Sequence, residues 1–201
     1  MLFHYHFWTP YVEETERFYI EHGFRITQRI GKFQGDYQSF NPPLNWDDFR
    51  DKDITFRIIE ARKGAINITF GFGKKVMFDH IGFLVNANEH DEICNRAREM
   101  NLNVNSNDRR TFIGTPYGFR IELQKNMDAI DELSDVARIV ELELSVQSEE
   151  LEKKLFQLLN NQIANVHTVK GNMVTINKAV MKGVPVENQT DPNGVQIAGR
   201  I

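Results

Sequence analysis

The chain has 201 residues, of which 41% are hydrophobic and 26% are charged, and its formal net charge is −4. This composition is typical of a globular protein, and the lack of a basic stripe argues against nucleic acid as a partner. No apolar run approaches the ~18 residues that a membrane span needs. The start of the chain resembles no secretory peptide and the single cysteine excludes an internal disulfide, so we expect a cytoplasmic protein.

The first part of the chain reads as strand, helix, strand. Residues 3–8 predict a short aromatic strand, and Thr9 and Pro10 then suit the N-cap and the first position of a helix. Gly23 suits the end of that helix, and residues 24–30 predict the next strand. A last strand of this unit is predicted at 65–70.

The same pattern returns twice, so the chain contains an internal repeat. The second unit has predicted strands at 79–85 and 118–123, and between them Asn88 suits the N-cap of a helix that runs through Glu89 to about Met100. The third unit begins near Ile139 with alternating apolar and acidic residues, the pattern of a half-buried strand.

Equal spacing supports the repeat. His4 precedes Phe18 by 14 residues, and the same interval separates His80 from Cys94 and Glu141 from Leu155. Cys94 therefore matches a buried helix position, where we expect a small apolar residue rather than a nucleophile.

The closing segments of the second and third units also align. Residues 116–122 and 192–198 share proline, glycine and isoleucine in register, so Glu122 corresponds to Ala198. The third unit then lacks a histidine and glutamate set, and we expect Glu141 and Glu143 to be solvated.

These motifs resemble the vicinal oxygen chelate superfamily, which includes glyoxalase I, extradiol dioxygenases, and fosfomycin and bleomycin resistance proteins. The resemblance rests on the order and spacing of short motifs. They are His4 ahead of Phe18-Tyr19, the helix end Gly23-Phe24, the Asp-His-Ile-Gly-Phe run at 79–83, and the Pro-x-Gly-x-x-Ile-Glu run at 116–122. The likeness is good over residues 1–125 and weak over 139–201.

The resemblance implies an α+β fold in which βαβββ modules pair into a curved, mixed-sheet cup. The modules would span about 1–73 and 76–125 and form one domain, 1–125. Residues 126–137 would be a linker, and 138–201 a third, weaker module.

Carried over residue by residue, the resemblance also implies a divalent-metal site at His4, His80 and Glu122. Two imidazoles and one carboxylate leave open positions for a substrate or oxygen. Residues 65–70 hold no carboxylate for a fourth ligand, so three-ligand relatives fit better than glyoxalase I. The ion would be iron, manganese, nickel or zinc.

Two functions follow from this resemblance. The first is a metal-dependent enzyme, of the dioxygenase, lyase or transferase type, that acts on a small oxygenated molecule. The alternative is a metal-free cup that binds a drug or metabolite, as bleomycin resistance proteins do.

Further residues are candidates for the cup. His6 should share the face of His4; it is either an acid–base group near the metal or a half-buried neighbour. Arg120 shares a face with Glu122 and either contacts an anionic substrate or pairs with a carboxylate. Asn67 and Thr69 are the polar residues of the last strand of the first module.

The aromatic, proline-containing segment 33–49 is long for this fold, and it is either a lid over the cup or a loop pinned by its own side chains. As a lid, it would bring Tyr37 and Trp46 near the cup mouth.

The third module poses a question of assembly, because a curved sheet needs a cover for its apolar face. It either packs against the first two modules or pairs with the same module of a second chain. On this reasoning we favour a homodimer through residues 139–201.

Overall fold

The computed structural model describes residues 1–133, 136–147, 150–160 and 165–200. Within these ranges the chain forms three α-helices and two mixed sheets, one with nine strands and one with five. The expected α+β fold with βαβββ modules is confirmed. None of the helices in these ranges is both long and apolar enough to cross a membrane.

The first module contains strands β1 (Leu2–Thr9), β2 (Arg25–Phe33), β3 (Asp36–Ser39), β4 (Thr55–Lys63) and β5 (Ile66–Phe72), helix α1 (Val12–Glu21) and a 3-10 helix at Trp46–Phe49. The second contains β6 (Met77–Leu84), helix α2 (Ala87–Glu99), β7 (Val104–Ser106), β8 (Arg110–Gly114) and β9 (Arg120–Gln124), and a second 3-10 helix follows at Met127–Ala129. The third contains β10 (Arg138–Val146), helix α3 (Glu150–Leu159), β11 (Val166–Lys170), β12 (Thr175–Lys182), β13 (Gln189–Thr190) and β14 (Gln196–Arg200).

The first two modules share one sheet, in the strand order β3-β2-β4-β5-β1-β6-β9-β8-β7. Their first strands meet at its centre, where β1 pairs parallel with β5 and antiparallel with β6. This pairing sets His4 opposite Asn67 and His6 opposite His80. The topology therefore brings the two sequence motifs that contain histidine to the same seam.

Both predicted helix starts in these modules are displaced. Helix α1 begins at Val12, with Tyr11 as N-cap, because Thr9 still belongs to β1 and pairs with Phe72. Helix α2 begins at Ala87, because the side chain of Asn86 accepts the backbone hydrogen of Glu89 in a capping box.

The third module packs against the first two modules of the same chain. Their buried apolar residues form one continuous core. The backbone N–H of Ala65 donates to Ala137 O at 2.9 Å, and Arg96 Nε donates to Leu158 O at 2.8 Å. The face whose exposure argued for a homodimer is thus covered within the chain, and the oligomeric state stays a prediction.

The expected linker at 126–137 is only partly extended chain. It includes the 3-10 helix Met127–Ala129 and the hydrogen-bonded Ala137, whereas residues 134 and 135 lie outside the described ranges. The division of the chain into domains at this point stays a prediction.

Candidate metal centre

The inner face of the nine-stranded sheet is polar at its centre because side chains alternate along β1. His4 and His6 point into a cavity, whereas Tyr5 and Phe7 point to the opposite face and are 0% and 1% exposed in the core. One face of the strand therefore lines the cavity, and the other packs in the hydrophobic core.

The structure brings His4, His80 and Glu122 together on this inner face. One ligand atom from each lies within 4.8 Å of the others, and all three side chains are buried. His4 Nε2 and His80 Nε2 are 3.0 Å apart, and Glu122 Oε2 lies 3.1 Å from His80 Nε2 and 3.8 Å from His4 Nε2.

Each imidazole is oriented by a bond from its other nitrogen. His4 Nδ1 donates to the backbone oxygen of Asn67 at 2.8 Å, and His80 Nδ1 donates to Asp79 Oδ2 at 2.9 Å. With both Nδ1 atoms acting as donors, the neutral rings present Nε2 lone pairs towards Glu122.

A glycine beside His4 makes room for this arrangement. Gly82 pairs with His4 on one side and with Glu122 on the other. A Cβ atom at this position would lie 2.8 Å from His4 Cβ, closer than real side chains approach. The glycine of the Asp-His-Ile-Gly-Phe motif is therefore required by the close packing of the imidazole.

The electrostatics keep His4 and Glu122 in the protonation states that a metal requires. Burial lowers the pKa of His4 to about 4, although Glu122 opposes this change. Burial by itself would raise the pKa of Glu122, but the close contact with His80, the proximity of His4 and the Arg110 guanidinium lower it to about 2. At neutral pH the centre therefore holds a neutral His4 imidazole and a carboxylate.

This donor set fits a divalent ion. Two lone-pair nitrogens and a carboxylate oxygen that converge in a buried space repel one another unless a cation lies between them. Thr69 occupies, in the first module, the register position that Glu122 occupies in the second, and its Oγ1 is 3.4 Å from His4 Nε2. The described residues thus offer three ligands and a hydroxyl rather than a fourth carboxylate.

The centre opens into a cavity of about 530 Å³ between the two modules. Its wall is mostly polar and includes Arg25, Thr27, Gln28, Glu60, Arg62, Asn67, Thr69, Arg109, Arg110, Gln124 and Asp128. A narrower compartment of about 240 Å³ adjoins it, and both His6 and Arg120 line this compartment.

His6 lines the narrower compartment and has one ring nitrogen without a hydrogen-bond partner. Its Nδ1 bonds to Thr69 Oγ1 at 2.7 Å, and its ring stacks on His80 with a centroid distance of 5.1 Å. Its Nε2 is buried without a hydrogen-bond partner. Because burial lowers the pKa of His6 well below its usual value, the ring is neutral at physiological pH.

Arg120 pairs with a carboxylate, one of the two alternatives for this residue. Its Nη2 donates to Asp79 Oδ2, and its guanidinium lies 4.2 Å from the centre of the Phe112 ring. Its side chain is 42% exposed, so the ion pair with Asp79 leaves part of the guanidinium accessible to a ligand in the compartment.

The structure places the four expected cup residues on different surfaces. Asn67 and Thr69 line the cavity. Trp46 lies on the opposite, helix-covered face, because its Nε1 donates to Glu16 in α1 at 3.0 Å and its ring packs on Phe56. Tyr37 is 65% exposed on the edge strand β3. Neither residue is among those lining the two compartments. The contacts of Trp46 contradict its expected place at the cup mouth, whereas the place of Tyr37 stays a prediction.

Three residues that contact the candidate metal ligands were not among the predicted site residues. Asp79 orients His80, Arg110 Nη1 lies 3.4 Å from Glu122 Oε2, and Phe112 packs edge-on against His80. Asp79 was visible as the first residue of the Asp-His-Ile-Gly-Phe motif. Arg110 and Phe112 were detectable from their two-residue spacing on β8, which puts both on one face.

Three further residues have structural environments away from the centre. Cys94 is buried in α2, and burial raises the pKa of its thiol, which makes it a poor nucleophile. Glu141 and Glu143 are half-buried on β10, beside Arg200 and Asn177 respectively, rather than fully solvated as expected.

Comparison with known proteins bears on the fold alone. No protein-family model matches the chain, and no curated protein sequence matches it. Solved structures of aromatic-ring dioxygenases do resemble it. The 2,2′,3-trihydroxybiphenyl 1,2-dioxygenase of Sphingomonas wittichii matches with a TM-score of 0.64 at 12% identity, over 100% of this chain and 90% of that one.

Two other dioxygenases give the same result. Homoprotocatechuate 2,3-dioxygenase of Brevibacterium fuscum, in complex with 3,4-dihydroxyphenylacetate, matches at 0.60 and 12% identity over 98% of this chain and 79% of its own. The 2,3-dioxygenase LapB of a Pseudomonas species matches at 0.61 and 12% identity over 90% and 73%. The chain has the fold that the vicinal oxygen chelate resemblance implies.

Proposed function

We propose that this chain is a divalent-metal-dependent enzyme that acts on a small molecule bearing adjacent oxygen atoms. The observation that carries the proposal is the convergence of two oriented imidazoles and one carboxylate in a buried, open-sided cup. The dioxygenase-like fold supports it, since one structure with this fold holds a dihydroxylated aromatic acid.

His4, His80 and Glu122 would hold the ion, here one of iron, manganese, nickel or zinc. When bound, the metal would supply Lewis-acid polarisation of the substrate oxygens, with redox chemistry added if the ion is iron. Asp79 and the backbone of Asn67 keep both rings in the ligating tautomer. Arg110 balances the charge of Glu122 from the cavity side.

Substrate positioning falls to the remaining wall residues. His6 lines the compartment beside His80 and its buried Nε2 has no hydrogen-bond partner, so it is our candidate for sharing a proton with a substrate hydroxyl. Thr69 holds that ring through Nδ1. Arg120 and Phe112 close the same compartment with a cation over an aromatic ring.

A second candidate function is a metal-free small-molecule-binding cup. It is favoured by one observation: the three groups already contact one another at 3.0 and 3.1 Å, so a single shared proton would also link them. In that case the cup would bind its ligand through polar and aromatic wall residues without chemistry at the centre.

Metal analysis separates the two functions. Purified protein is stripped with chelator, incubated with each of the four ions and desalted, and the bound metal is measured by atomic emission. The first function requires about one ion per chain in the wild type and a loss of binding in Glu122→Gln. Glu143→Gln, on strand β10 of the third module, is the matched control. Wild-type protein that retains no ion at neutral pH would establish the metal-free cup.

A further inference from the structure

A surface groove adjoins the narrower compartment of the cup. It has a volume of about 490 Å³ and is lined by Trp8, Arg57, Phe72, Lys74, Lys75 and Met77; we refer to these six residues as the basic groove. Trp8 and Arg57, together with Arg120, also line the compartment that holds His6 and His80. The groove is thus a lateral extension of the candidate site.

The charge of this groove is one-sided. It contains no acidic residue along its wall, although the chain as a whole has a net charge of −4. Across the described ranges, no carboxylate forms an ion pair with Arg57, Lys74 or Lys75. Several cationic side chains that converge on a concave surface attract an anion and raise its local concentration.

The groove also has an apolar floor. Phe72 and Met77 both line it and are 45% and 46% exposed, so together they offer an accessible apolar surface beside the cations. The Arg57 guanidinium lies over the Trp8 ring, 4.1 Å from its centre. An anionic group could therefore bind the cations while an attached apolar or aromatic portion lies along the floor.

Two glycines create the space for Trp8. A Cβ atom at Gly71 would lie 2.7 Å from the Trp8 ring and 2.2 Å from Arg57 O, and one at Gly73 would lie 2.8 Å from Trp8 Cβ. Trp8 follows His4 and His6 on the inner face of β1, so it extends the cup floor outward. From His4 to Trp8 the strand rises by roughly 13 Å, at about 3.3 Å per residue.

We propose that the basic groove binds an anionic group of the substrate, a carboxylate or phosphate attached to an apolar or aromatic portion, while the oxygenated end lies at His4, His80 and Glu122. This proposal rests on the proposed function for the placement of the oxygenated end. The groove itself is a separate binding surface and is testable without a metal.

The test uses the full-length, metal-free protein and a pair of aromatic probes. Naphthoate is a flat carboxylate, and naphthol is a neutral molecule of similar shape. The chain has two tryptophans, so Trp46→Phe leaves Trp8 as the only tryptophan reporter. Naphthoate should change Trp8 fluorescence saturably, bind at least several-fold more tightly than naphthol, and weaken as sodium chloride is raised.

The decisive variant is Arg57→Gln with Lys74→Gln and Lys75→Gln. We expect naphthoate affinity to fall about ten-fold, as the loss of three modest surface attractions would produce. The matched control removes three exposed lysines elsewhere, Lys32→Gln with Lys153→Gln and Lys170→Gln, and should leave the affinity unchanged.

Three results would overturn the proposal: equal affinity for naphthol, unchanged affinity in the groove variant, or an equal loss in the control variant. Failure of the proposed function is distinguishable, because it appears as absent metal uptake with naphthoate binding intact. A protein that takes up metal but does not prefer naphthoate refutes the groove alone.

Discussion

Asp79 accepts a hydrogen bond from His80 Nδ1 at 2.9 Å, and the same oxygen atom accepts one from Arg120. Burial would raise the pKa of Asp79, but the bonds from His80 and Arg120 overcome this and hold it well below its ordinary value. The carboxylate is therefore ionised at any physiological pH. Asp79 therefore links His80, a candidate metal ligand, to Arg120, which lines both the narrower compartment and the basic groove.

Removal of this charge should weaken metal binding. Asp79→Asn can leave His80 in place, but it loses the anionic acceptor that orients and polarises the ring. We expect metal affinity to fall by about ten- to a hundred-fold, with little change in the far-ultraviolet circular dichroism spectrum. Titration calorimetry measures the affinity, and Asp108→Asn, an exposed aspartate, is the control. An unchanged affinity would show that Asp79 does not act through His80.

A methyl group at Gly82 should damage the centre by displacing His4. The added Cβ would lie 2.8 Å from His4 Cβ, so Gly82→Ala should destabilise the fold by about 1–3 kcal/mol and abolish tight metal binding. Gly114→Ala is the matched control, since its Cβ would meet only Asn103 at an ordinary 3.7 Å. Thermal unfolding with and without metal reports both effects, and equal behaviour of the two variants would contradict the packing argument.

The stability of the metal-free protein should depend on pH through His4. Its folded-state pKa of about 4 lies below the unfolded value of 6.5, so below pH 6.5 the unfolded chain binds a proton that the folded chain does not. Stability therefore falls as the pH drops from 6.5 towards 4, by at most about 3 kcal/mol from this residue at ~1.4 kcal/mol per pH unit. The pKa of His6 is lowered in the same direction.

Urea unfolding at several pH values, with chelator present, measures this dependence. His4→Gln should flatten the slope between pH 6.5 and 4, whereas His167→Gln, which replaces an exposed histidine, should not. Below pH 4.5 a second loss of stability is expected from Glu122. Its folded-state pKa is lowered from 4.5 to about 2, so the unfolded chain binds a proton at this carboxylate before the folded chain does. A wild-type curve that is flat from pH 7 to 4 would refute the inferred shift at His4.

Asp191 should hold the third module onto the first. This buried carboxylate accepts hydrogen bonds from Tyr19 Oη at 3.2 Å and from the backbone N–H groups of Asn193 and Val195 at 2.9 Å. Asp191→Ala leaves these donors unpaired, so we expect a loss of about 2–4 kcal/mol in the free energy of unfolding. Asp108→Ala is the exposed control. Metal binding by the folded fraction should persist, because Tyr19 lies on the face opposite the cup.

Much of the fold was predictable from the sequence because it depends on local patterns. Strand alternation, the helix end at Gly23 and the repeated spacing from strand to helix all act within one module, so the α+β modules and their approximate limits followed from the residue order. Helix starts were displaced by two residues at both α1 and α2, because pairing of Thr9 in the sheet and capping by Asn86 prevailed over the predicted caps.

The three candidate ligand positions were also available from the sequence. His4 and His80 stand at matched positions of the repeat, and the resemblance to the vicinal oxygen chelate superfamily implied that they and Glu122 form a ligand set. The alternation of side chains along a strand added His6 to the same face as His4. The sequence did not predict the partners of His4 and Glu122, since the Asn67 backbone and the Arg110 side chain approach them from other strands through long-range pairing.

Two features were decided only by the tertiary structure. Trp46 was expected at the cup mouth, but its indole N–H bonds to Glu16 on the helix side, and composition cannot distinguish the two faces of a sheet. The third module was expected to pair with a second chain, but its apolar face packs against the first two modules of its own chain. Both outcomes depend on which apolar surfaces meet, and that is a property of the whole packed core rather than of any local run of residues.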